Sequence, residues 1–86
     1  MTENAYLLLG YVLASNYRKK VMLALQDKPV TPSTISEKTK IYPSHVSLAL
    51  AELTKQKLIK CLTPKLRKGR LYDLTKDGRN MLKHLT

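Results

Sequence analysis

The sequence predicts a mainly α-helical domain carrying one small β-hairpin. Apolar residues recur at helical spacing through residues 15–57, interrupted by polar N-capping residues and prolines. The period then changes to two over residues 58–64 and again over 70–75, on either side of a basic turn containing Gly69. A final helical pattern closes the chain over 76–86.

Each element has its own local reason. Residues 1–14 read as an apolar helix, and because 3–14 are apolar nearly all round, it must be covered on more than one side. Ser15 is a good N-cap for NYRKKVMLALQ, in which Tyr17, Val21, Ala24 and Leu25 share a face. Pro29, within DKP, ends that helix. Thr31 caps a short helix with Pro32 at its first position, turning Ile35 inward and Ser36, Glu37 and Lys38 outward until about Lys40. Pro43 opens the next helix, which runs to about Lys57. At 100° per residue, Val46, Ala49, Leu50 and Leu53 form one stripe, while Ser44, Leu48, Ala51 and Lys55 lie opposite, flanked by His45 and Ser47. LIKCLTP (58–64) and RLYDLT (70–75) read as strands around KLRKG, where Gly69 supplies the freedom of a hairpin tip. Thr75 caps the last helix, with Met81, Leu82 and Leu85 as its buried set. Gly78 weakens that helix by roughly 1 kcal/mol against alanine.

The totals narrow the partners. The chain has 86 residues, expected to form a single domain over 1–86, with 16 Lys and Arg against 6 Asp and Glu. The resulting charge of +10 disfavours compaction and favours polyanions, nucleic acid first and an anionic membrane surface second. The cations gather on a hairpin, whereas membranes favour a basic helix with an apolar face, so no membrane partner is expected. The apolar run Ala5–Ala14 is too short to span a bilayer, and no basic residue precedes it as in a signal peptide. A single cysteine, Cys61, excludes an internal disulfide and fits a reducing cytoplasm. It is expected to be a small buried hydrophobe, with a redox-sensing thiol as the weaker alternative.

Catalysis finds no constellation. SHVS brings serine and His45 together without an acid to orient the imidazole, and the three glycines are scattered where a phosphate loop would cluster them. An enzyme is therefore not expected, nor is a cofactor.

Helix, helix, tight turn, helix, basic hairpin, helix is an order that resembles the winged helix-turn-helix domain of archaeal and bacterial transcriptional regulators of the small MarR-like and ArsR-like types. TPSTISEKTKIYPSHVSLALAELTKQKLI (31–59) resembles their helix-turn-helix, and KCLTPKLRKGRLYDLTKDG (60–78) their wing; the resemblance covers roughly residues 15–83. It implies a three-helical core plus wing, flanked by N- and C-terminal helices, with the helix-turn-helix at 31–57, the wing at 58–75 and the C-terminal helix at 76–86. It further implies a sequence-specific regulator of double-stranded DNA, with helix 43–57 in the major groove and the wing on phosphates or in the minor groove. Ser44, His45, Ser47 and Leu48 then sit where relatives contact DNA, with Tyr42 just ahead. Two departures matter. The turn has Lys40 where glycine is common, and the groove helix has Leu48 and Ala51 where Arg or Lys often stand. Reading from Ser, His, Tyr and Leu48 favours sites containing A·T pairs. Metal-sensing ArsR-type proteins need several thiolates or histidines, and one Cys with two distant His does not provide them, so no metal is expected.

From Thr54 to Tyr72 there is no acid, while Lys55, Lys57, Lys60, Lys65, Arg67, Lys68 and Arg70 supply seven cations. A solvated edge that discourages aggregation would carry such charges. Their concentration at a turn favours a phosphate grip by Lys65, Arg67, Lys68 and Arg70, with Lys55 at the end of the groove helix. Arg18, Lys19 and Lys20 form a second cluster, tilted towards a phosphate contact because cations sit unfavourably at a helix start. The apolar N-terminal helix is expected to join two copies into a homodimer. No small-molecule ligand is expected. A protein-interaction or RNA-binding module of the transcription machinery remains the alternative.

Overall fold

Three helices begin at the caps read from the sequence, because in each case a hydroxyl meets an amide that the helix leaves without a partner. The side chains of Ser15, Thr31 and Thr75 accept from the backbone N–H groups of Arg18, Thr34 and Gly78 at 3.2, 3.3 and 3.0 Å. The computed structural model describes residues 3–85. Its elements are α1 (Glu3–Leu13), α2 (Asn16–Ala24), α3 (Pro32–Thr39), α4 (Pro43–Lys55), β1 (Ile59–Cys61), β2 (Tyr72–Leu74) and α5 (Lys76–Leu82).

Helix ends depart from expectation for identifiable reasons. α2 stops two residues early, as the amides of Leu25 and Gln26 tighten onto the carbonyls of Met22 and Leu23, three residues back. α3 ends with Lys40 in the left-handed region at φ 62°, its N–H on the Ser36 carbonyl at 2.9 Å. α4 ends at Lys55, two residues short of the expected Lys57, which is itself left-handed at φ 60°. There the Leu58 and Lys57 amides bond back to the carbonyls of Leu53 and Thr54. Two lysines thus occupy positions that glycine takes without strain. α5 ends at Leu82, short of the expected length, although Met81, Leu82 and Leu85 are buried as read.

α2, α3 and α4 form the three-helical core. From α2 come Val21, Met22 and Leu25, from α3 Ile35, and from α4 the stripe of Val46, Ala49, Leu50 and Leu53. The face assigned to α2 needs correction. Met22 is in the core and Tyr17 is not, at 43% exposed. Ser36, read as outward, is half-buried, and its hydroxyl donates to the Ile41 carbonyl at 2.6 Å, fixing the turn into α4.

β1 and β2 pair antiparallel with Ile59 opposite Leu74, Lys60 opposite Asp73 and Cys61 opposite Tyr72. The strands are shorter than read, and Val30 adds a bridge to the other edge of β2 through reciprocal bonds with Tyr72 at 3.1 and 3.0 Å. Sequence reading had no access to that bridge, because one residue carries no period. Gly78 is the other revision. It is buried, and a methyl group there would run into the Leu58 carbonyl oxygen, so the glycine is what lets α5 lie against the foot of β1. Cys61 is half-buried in β1.

α1 does not find the cover its composition calls for. Within this chain Val12 is its one buried residue, and Tyr6 and Leu7 are 62% and 67% exposed.

Candidate nucleic-acid interface

Burial of one stripe of α4 dictates what the opposite face offers. Tyr42, Ser44, Ser47, Leu48, Ala51 and Lys55 are exposed, Tyr42 at 77% and Leu48 at 59%. Apart from Lys55 at its end, this face is uncharged, and around Ser44, Ser47 and Ala51 it is narrow enough for an α-helix to approach a groove floor closely. Pro43 at the first helical position and the bonded turn before it set the angle at which α4 leaves α3.

His45 stands apart from its neighbours. Its imidazole is half-buried and stacks on the Tyr17 ring, with centroids 4.6 Å apart and planes 18° apart; the Tyr42 ring lies at 6.5 Å and 44°. The contact of Tyr17 with His45 was not legible in the sequence, because nothing near Tyr17 refers to position 45.

The wing is built from the hairpin outward. Beyond the paired residues, the Leu62 amide bonds to the Leu71 carbonyl at 2.7 Å and the Thr63 hydroxyl accepts from the Leu71 amide at 2.9 Å. Arg70 turns into the loop, donating from Nε to the Leu66 carbonyl at 2.5 Å and from Nη2 to the Pro64 carbonyl at 3.3 Å. Gly69, at φ 66°, permits the reversal. Lys65, Arg67 and Lys68 are left exposed at the tip.

Arg18 corrects the reading of the second basic cluster. Its guanidinium donates from Nε and Nη2 to the Tyr11 carbonyl at 2.9 and 2.7 Å, lies 3.8 Å from the Tyr11 ring centroid and pairs through Nη1 with Glu52 at 3.4 Å. Its side chain is only 13% exposed. A phosphate contact would have to break these bonds, so Arg18 ties α1, α2 and α4 together instead. Among the described residues no group of three His, Cys, Asp or Glu side chains is placed to hold a metal, and no helix is long and apolar enough to cross a membrane.

A three-helical core with a tight turn between its last two helices, followed by a hairpin with a protruding basic loop, is a winged helix-turn-helix. Solved structures of regulators share it. Lactococcus lactis ZitR in complex with DNA superposes with a TM-score of 0.72 at 28% identity over 80% of this chain and 48% of that one. A structure of Bordetella bronchiseptica BpsR, from work on the regulation of its DNA binding by 6-hydroxynicotinic acid, gives 0.76 at 22% identity over 95% and 70%. A MarR family transcription regulator gives 0.75 at 18% identity over 92% and 60%. The chain's fold is therefore that of the MarR-like regulators, and it spans about half the length of the ZitR structures it matches. ZitR and BpsR come from bacteria, so the archaeal side of the expected resemblance finds no support in them. No protein-family profile and no curated protein matches the chain.

Proposed function

We propose that this protein is a cytoplasmic transcriptional regulator that binds double-stranded DNA sequence-specifically. The observation that carries the reading is the exposed, small-sided face of α4, held out by a core that uses the helix's other side. The DNA complex of the similar ZitR supports it. On this reading the division anticipated from sequence has functional meaning. Residues 31–57 supply the helix-turn-helix, and Tyr42, Ser44, His45, Ser47 and Leu48 face base edges in a major groove about 12 Å wide. Residues 58–75 form the wing, where Lys65, Arg67 and Lys68 meet phosphates, Arg70 braces the loop from within, and Lys55 contacts the backbone at the end of α4. α1 joins two copies through its open face around Tyr6, Leu7 and Leu13, and Met81, Leu82 and Leu85 of the C-terminal segment close the core. Two groove helices would then lie roughly 34 Å apart, matching a palindromic site.

Salt-titrated binding of the protein to duplex DNA and to single-stranded RNA tests the partner. Duplex is expected to win. Lys68→Ala should weaken binding to every duplex and lower the slope of log K against log salt by roughly 1. Preference for single-stranded RNA would overturn the reading. Sedimentation tests the pairing, and a monomer at high concentration would end it.

A further inference from the structure

We propose that Tyr17, on α2, is a positioning residue for base recognition: it fixes the His45 ring so that the imidazole edge meets a base pair. The inference rests on the DNA-binding reading and adds a residue outside the helix-turn-helix to its specificity.

Besides the core they share, the first turn of α2 makes two side-chain contacts with one flank of α4. His45 and Glu52 are seven residues apart on α4 and so share a face. Their partners are neighbours in the first turn of α2: Tyr17 stacks on His45, and Arg18 pairs with Glu52. That turn is itself anchored, by the Ser15 cap and by the two bonds from Arg18 to the Tyr11 carbonyl. The Tyr17 ring is thus carried by backbone whose hydrogen-bond anchors, Ser15 and the Tyr11 carbonyl, lie outside α4. The stack covers one face of the imidazole, so base contact falls to the ring's edge, where one nitrogen donates and the other accepts in the neutral form. An imidazole fixed before the DNA arrives loses less rotamer freedom on binding. Core packing does not account for the contact. Val21, Met22 and Leu25 of α2 are fully buried, whereas Tyr17 stays 43% exposed beside the groove face.

The test is selection from random duplexes with the full chain, followed by affinities for the selected and a scrambled duplex. Wild type, Tyr17→Leu, Tyr17→Gln, Tyr17→Phe, His45→Ala and the Tyr17→Leu/His45→Ala double variant are compared, with melting temperatures alongside. Tyr17→Leu and Tyr17→Gln should relax preference at the same base pairs as His45→Ala, reducing the selected-to-scrambled ratio about three- to tenfold. Tyr17→Phe, which keeps the stack, should restore it, and the double variant should lose no more than His45→Ala alone. Unchanged base preference in Tyr17→Leu and Tyr17→Gln, equal weakening on both duplexes, or losses that add to those of His45→Ala would overturn the proposal. A wild type with no duplex preference would instead remove the DNA-binding reading, and this inference with it.

Discussion

The exposed face of α4 and the tip of the wing are built in opposite ways. α4 shows Ser44, Ser47, Leu48 and Ala51 on one side and buries Val46, Ala49, Leu50 and Leu53 on the other; apart from Lys55 at its end its exposed face is uncharged, and its position is set by the core. The wing shows Lys65, Arg67 and Lys68 at the tip of a hairpin in which no residue from Lys60 to Asp73 is fully buried. Its shape comes from a few hydrogen bonds, from Arg70 to the Leu66 and Pro64 carbonyls and from the Leu71 amide to the Thr63 hydroxyl. A fixed neutral rod and a lightly held cationic loop suit different tasks. The first can discriminate by fit, and the second can supply attraction indifferent to sequence.

The largest test removes the attraction. Replacing Lys65, Arg67 and Lys68 together by alanine should weaken binding to selected and scrambled duplexes alike by about a hundredfold at moderate salt and lower the salt slope by about 3. A loss confined to the selected duplex would place discrimination in the wing. Next comes the joint between wing and core. Gly78→Ala gains helix propensity, but its methyl meets the Leu58 carbonyl. A net loss of about 2 kcal/mol is expected, read as a melting temperature about 10 °C lower. An unchanged melting temperature would mean that α5 can move away from β1 without penalty.

On the other side of the comparison, Leu48→Ala should leave the fold intact, since the side chain is 59% exposed, and reduce affinity for the selected duplex about tenfold. Binding to scrambled DNA should stay constant, and the base pairs losing preference should be A·T. A G-dominated selected core would contradict that assignment. The smallest effect concerns the turn that aims α4. Lys40 holds a left-handed conformation, so Lys40→Gly should stabilise the domain by about 0.5–1 kcal/mol, measured by urea unfolding. Destabilisation would show that the lysine side chain contributes more than its backbone strain subtracts.

Much of this molecule was legible in order along the chain. Ser15, Thr31 and Thr75 marked helix starts, the four-residue stripe marked the buried side of α4, and Gly69 marked the hairpin reversal. These signals act within a turn or two of backbone, where residue type and spacing suffice. The candidate site was legible to the same depth. The exposed residues of α4 and the cations of the wing were named by position, whereas Arg70's inward turn was not, because a guanidinium can donate to loop carbonyls as well as to phosphates and only the folded loop places the Leu66 and Pro64 carbonyls within its reach.

What the sequence by itself determined is therefore the set of elements, their buried faces and the concentration of positive charge on the wing. The tertiary structure alone decided that Arg18 joins three helices, that Tyr17 stacks on His45, that Val30 extends the sheet at Tyr72, and that Gly78 is required by the Leu58 carbonyl. Each of these joins residues far apart in the chain. Their proximity follows from how whole helices pack, and no local periodicity or capping rule encodes it.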